Sequence, residues 1–170
     1  MRFGKLVLLI LTLLSSGCGY QLATKKANAG AGRTIAVATF GNRTTTYKVE
    51  QRMSEALRKE LVKRTSYHVV SANSGDVVVS GEVLTYGAFP YILNEQGRAS
   101  SYIISVELKI VVKDTRSGKV LFQNDHWVFR ETFELAQESA QFVPEEPAAV
   151  DRVASSFASS LVALLLNGTP

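Results

Sequence analysis

The sequence predicts an α+β fold: a two-layer sandwich in which a mostly antiparallel sheet carries two helices packed on one face. Three observations lead there. Between Ser101 and Lys113, Tyr102, Ile104, Val106, Leu108, Ile110 and Val112 alternate with Ser101, Ser105, Glu107, Lys109 and Lys113, the period-two mark of a strand with one buried face. Two segments, Tyr47 to Lys63 and Val150 to Leu165, instead place their apolar residues at helical spacing. The resulting order β-α-β-β-β-β-α asks for one sheet with both helices on the same side. A chain of 170 residues with 46% hydrophobic composition is long enough for one such domain.

The first 17 residues stand apart from that domain. Arg2 and Lys5 precede Leu6 to Leu14, nine residues with only Thr12 polar, which as a helix span about 13 Å. A bilayer core needs about 20 residues. A basic start, a short greasy run and the small residues Ser15, Ser16 and Gly17 therefore read as an export signal. The small residues run straight into Cys18, the chain's one cysteine. Internal disulfides are excluded, and a plain thiol there has no partner. The arrangement resembles the lipobox of bacterial lipoproteins, with Ser15 where that class prefers Leu. The resemblance implies cleavage before Cys18, a diacylglycerol on its thiol and an amide-linked acyl chain such as palmitate on the new amino terminus. Gly19, where Asp often marks retention at the inner membrane, implies the outer membrane.

Residues 18–33 read as anchor and flexible tether, since Ala23 to Arg33 is small, polar and glycine-containing. The domain is expected over 34–170. Thr34 to Phe40 reads as a strand buried on both faces, ending in the turn Gly41 to Thr46, and Thr45 or Thr46 is expected to cap the first helix. Tyr67 to Ser71 is a short strand. Asp76 to Tyr86 begins a long hairpin whose tip is read as the loop Gly87 to Ser100. Asp114 to Lys119, with Gly118 available for positive φ, turns the chain into Val120 to Leu135 and completes a meander. Pro144 and Pro147 punctuate a loop before the second helix, which Gly168 is placed to cap. No repeat and no second domain appears.

The residues argue against several chemistries. Without Arg2 and Lys5, 17 basic side chains face 15 acidic ones, too balanced to favour nucleic acid. His68 and His126 lack companions at metal spacing, so no metal is expected. Asp125 and His126 are neighbours in a strand, where alternation sends them to opposite faces and forbids a dyad. Gly41 to Thr46 follows a strand and precedes a helix, yet lacks the glycine and lysine of a phosphate loop. A small hydrolase finds no nucleophile, base and orienter here, so no catalysis and no catalytic residue is expected. Phe89, Tyr91, Ile92 and Leu93 surround Pro90 in the hairpin. They either form a contact surface or fold back over the core edge.

Taken together, the segment CGYQL, the strand, turn and helix from Ile35 to Leu61, the strand DVVVSGEV and the long paired strands are similar to the lipopolysaccharide-assembly lipoprotein family LptE. That resemblance covers nearly the whole chain. It implies a non-enzymatic outer-membrane lipoprotein, facing the periplasm and a barrel lumen, that partners the β-barrel LptD as plug and assembly factor and helps deliver lipopolysaccharide to the outer leaflet. A lipopolysaccharide binder wants cations beside apolar groups; position on the free sheet face or the hairpin tip makes Arg98, Lys109, Lys113 and Arg130 candidates, with Phe89, Tyr91, Ile92 and Leu93 as partner contacts. The competing expectation is a general envelope lipoprotein that uses the same hairpin as a protein-binding module elsewhere.

Overall fold

A computed structural model describes residues 30–71, 74–134 and 145–167. Cys18, the signal segment, nearly all of the tether, Pro144 and Gly168 lie outside the described residues. The elements run β1 (Thr34–Val37), β2 (Gly41–Asn42), α1 (Val49–Arg64), β3 (His68–Val70), β4 (Val77–Leu93), β5 (Ala99–Asp114), β6 (Val120–Glu134) and α2 (Glu145–Asn167). The strands form one sheet in the order β3-β1-β4-β5-β6, with β2 added beside β4. The meander β4-β5-β6 is antiparallel, while β1 pairs parallel with both β3 and β4. The sheet is thus mixed, because the β1-α1-β3 connection returns the chain in the same direction.

Both helices lie on one face and run parallel to each other. Arg52 meets Asp151 at 2.6 Å near their N-terminal ends, and the Ser159 hydroxyl donates to Glu60 at 3.1 Å further along. Val49, Met53, Leu57 and Leu61 from α1, and Val150, Val153, Phe157 and Leu161 from α2, are buried against Ile104, Val106, Leu108, Ile110 and Val112 of β5. The Phe157 ring sits at the centre, with Phe40, Trp127 and Phe129 edge-on at 5.7–6.0 Å. Gly81 makes room for this arrangement, since a Cβ there would lie 2.9 Å from the Phe40 ring. Among the described residues α2 alone is long and apolar enough to cross a membrane. Its apolar stripe is core instead.

Several local expectations are corrected. α1 is capped by neither Thr45 nor Thr46: its N-cap is Lys48, left-handed at φ 60° with no side-chain cap. Asn42 organises the approach, accepting from the Thr44 N–H at 2.8 Å and donating to Glu50 and the Thr46 carbonyl. Pro147 is helical, two residues into α2, where a missing N–H costs no hydrogen bond. The stretch Gly87 to Ser100 is mostly strand; only Asn94 to Arg98 turns, held by Asn94 Oδ1 accepting from the Gln96 and Arg98 N–H groups, with Gly97 at φ 72°. Asp125 and His126 both reach the open sheet face, because a bulge pairs Ile110 with Asn124 but Leu108 with Trp127. They still make no dyad: Asp125 holds Lys109 at 3.0 Å and His126 holds Glu107 at 2.8 Å.

Candidate recognition surface

β4 changes character along its length. Up to Val83 it buries alternate side chains, whereas from Ala88 to Leu93 every residue is exposed. With its partner segment at the start of β5, this stretch forms an arm whose β4 side meets solvent, while Ser101 and Ile104 on the β5 side stay buried. Phe89, Tyr91, Ile92 and Leu93 are 57%, 61%, 51% and 60% exposed. They do not fold back over the core edge. Register shifts between Pro90 and Leu93 make Tyr91 an extra, bulged residue, which suits a proline that offers no ladder N–H. At the root of the arm the Tyr86 hydroxyl donates to Glu146 at 2.6 Å, and further out Tyr102, opposite Pro90, stacks on Phe133 at 5.5 Å. Burial, and then the Glu146 carboxylate, hold the Tyr86 phenol above its ordinary range. The arm therefore leaves a fixed base.

The four candidate cations are strung out rather than convergent. Arg98 is in the turn at the arm's tip, and Arg130 pairs in register with Ser105, itself opposite Gly87 near the arm's root. Lys109 and Lys113 lie successively further along β5, each step of four residues roughly 13 Å. The Lys109 ammonium is engaged by Asp125, which holds that carboxyl below its usual range. Glu107, beside it, is held low by His126 and Thr85. The open face near Lys109 is thus a mosaic of compensated charge. Arg98 and Arg130 are the candidates that share a region with Phe89, where Ile103 and Val128 add apolar surface.

Two features escaped the sequence reading. One is a groove of about 900 Å³ between α1 and α2, bordered by Tyr47, Lys48, Arg52, Lys59, Glu60 and Asp151. The other is a polar clamp where the tether enters. Asp76 accepts from the Thr34 N–H and hydroxyl and meets Arg116 at 2.7 Å, while Asp114 pairs with Arg33 and accepts from the Arg116 and Ser117 N–H groups. These partners are 42 and 81 residues apart, so no local pattern announces them.

Solved structures with the same fold include the CT253 protein of Chlamydia trachomatis, at 14% identity and TM-score 0.53 over 80% of this chain and 96% of that one. An uncharacterized lipoprotein B from Nitrosomonas europaea matches at 10% identity and TM-score 0.53, over 82% and 86%. A Caulobacter crescentus protein named as a lipoprotein matches at 12% identity and TM-score 0.51, over 76% and 88%. At these identities the likeness is one of fold. No curated protein matches the chain. The family model LptE, described as lipopolysaccharide-assembly, matches residues 32–165, which takes in every strand and nearly all of both helices. By that match the chain belongs to the LptE lipopolysaccharide-assembly family.

Proposed function

We propose that this chain is an outer-membrane lipoprotein, acylated at Cys18, that partners the LptD β-barrel as plug and assembly factor and thereby serves lipopolysaccharide delivery to the outer leaflet. The observation that carries the reading is the arm: a rigidly rooted, apolar hairpin bearing Phe89, Tyr91, Ile92 and Leu93 on a domain of this family. Exposed apolar surface of this kind is retained for contact with a partner. The body of the domain is compact, and a compact plug with one projecting arm suits a closed barrel better than an open groove. The role is non-enzymatic and needs no cofactor beyond the covalent diacylglycerol and acyl chain on Cys18.

Arg98 and Arg130, with Phe89 and Ile103 between them, form the place where a phosphorylated, acylated molecule is met directly, since guanidinium groups take phosphate oxygens and the apolar residues take chain. Lys109 and Lys113 belong to a second, weaker tier because of their distance along β5. Co-purification tests the partner: a stable complex with an outer-membrane barrel is expected, and its absence in favour of a different envelope protein would support the general binding-module alternative. Depletion of the protein tests the process. Lipopolysaccharide should leave the cell surface and accumulate in the periplasm; unchanged surface lipopolysaccharide would reject the proposal.

A further inference from the structure

The two ends of the sheet carry opposite charge. β1 begins at Thr34 beside the start of β4 and the end of β5, while the arm is at the far end of β4. Seventeen residues of β4 separate these ends by about 50 Å. At the tether end, residues 30–34, 60–70, 74–78 and 111–122 hold Arg33, Lys63, Arg64, Lys113, Arg116 and Lys119 against Glu60, Asp76 and Asp114. At the arm end, residues 47–52, 86–105, 128–134 and 146–152 hold Lys48, Arg52, Arg98, Arg130 and Arg152 against Glu50, Glu95, Glu131, Glu134, Glu146 and Asp151. One end is three charges positive and the other one negative.

The pairing inside the tether end sharpens this. Its three carboxylates are each bonded to an arginine: Asp114 to Arg33, Asp76 to Arg116 and Glu60 to Arg64. Among the described residues that leaves Lys63, Lys113 and Lys119 as the uncompensated cations, all exposed. The same end receives the tether. Eleven residues lie between Cys18 and Gly30, a stretch that can span at most about 40 Å. An anchor at Cys18 therefore keeps this end within about 40 Å of the leaflet it enters.

We propose that the tether end is a docking surface for the anionic phospholipid headgroups of the leaflet that holds the anchor, with Lys63, Lys113 and Lys119 as its contact groups. The surface orients the domain, with the lysines toward the headgroups of that leaflet. The inference rests on the acylation of Cys18 within the reading above, and it is independent of any barrel partner. Each lysine near an anionic surface contributes about a fivefold preference, which salt screens.

The test uses the processed protein in vesicles, with Ser117→Cys or Gln96→Cys carrying a fluorophore and with quenchers placed on the lipid headgroups. In vesicles containing phosphatidylglycerol, the label at 117 should be quenched severalfold more than that at 96. The difference should vanish in pure phosphatidylcholine, in molar salt, and in a Lys63→Gln, Lys113→Gln, Lys119→Gln variant whose circular dichroism is unchanged. Equal quenching at both labels, stronger quenching at 96, or insensitivity to lipid charge would overturn the proposal. So would preferential docking of the 117 end on lipopolysaccharide micelles with none on phosphatidylglycerol. Intact mass reports acylation separately. If the cysteine is unmodified, the same labels in a Cys18→Ser background, added to vesicles from outside, read the same contrast.

Discussion

The body of the sheet and its arm are made from the same two strands, yet they obey different rules. In the body, β4 and β5 have helices on one side, so alternate residues are at 0% exposure and each side chain is fixed by neighbours. In the arm every β4 residue from Ala88 to Leu93 is exposed, and large apolar residues among them have no covering counterpart among the described residues. The contrast separates what folds the domain from what it presents. Substitutions should accordingly divide into those that unfold it and those that leave it folded but without a partner.

The largest loss of stability is expected at the centre of the body. Phe157→Ala removes a fully buried ring that touches the edges of three others, and should cost about 3–5 kcal/mol, measured by urea unfolding. A value below 1 kcal/mol would mean that the body is not packed as described. Next comes Gly75→Ala beside the tether clamp. A Cβ there would lie 2.6 Å from the Ala36 nitrogen and 2.7 Å from the Val77 carbonyl oxygen, both backbone atoms that cannot swing aside. The expected loss is about 1–3 kcal/mol, as for other overpacked sites.

How much of this was legible in the sequence follows the same division. The body was readable because burial on one face imposes period two on β5 and a 3.6 period on the helices. The arm's exposed apolar residues could be singled out, but not its strand character. Gly87, Pro90 and Asn94 look like turn residues, and the strand survives Pro90 only through a bulge. The Asp125 and His126 placement failed for a related reason, since one extra residue in β6 defeats any argument from alternation. The clamp at Asp76 and Asp114 was invisible because its pairs form only after the sheet does. Of the four cations, position along a strand was readable, but the neutralisation of Lys109 by Asp125 across strands was not.

A smaller effect tests the clamp by pH. The backbone N–H of Ser117, and then Arg33, pull the Asp114 carboxyl down to about 2. Its folded value is below the unfolded one, near 3.9, so the folded state binds fewer protons. The stabilisation is fully present above pH 4 and disappears as the pH falls towards 2. Asp114→Asn should therefore shallow the fall in melting temperature between about pH 4 and pH 2. Asp76, lowered chiefly by the Thr34 N–H, keeps part of that slope. An unchanged acid limb would show that Asp114 keeps neither its Ser117 nor its Arg33 contact in solution.

The smallest stability change, and the largest functional one, belongs to the arm. Tyr91→Ser and Leu93→Ser alter residues 61% and 60% exposed, so unfolding should shift by no more than about 0.5 kcal/mol. Barrel co-purification should nevertheless drop sharply, most of all for Tyr91→Ser, because aromatic anchors buried at a contact dominate its energy. Arg98→Ala and Arg130→Ala separate the two ligands: they should weaken lipopolysaccharide binding while barrel recovery stays near normal. If all four variants keep both interactions, the apolar arm is not the contact surface. If instead the serine variants unfold the protein, its exposed residues are packed in solution, and the distinction between body and arm fails at its source.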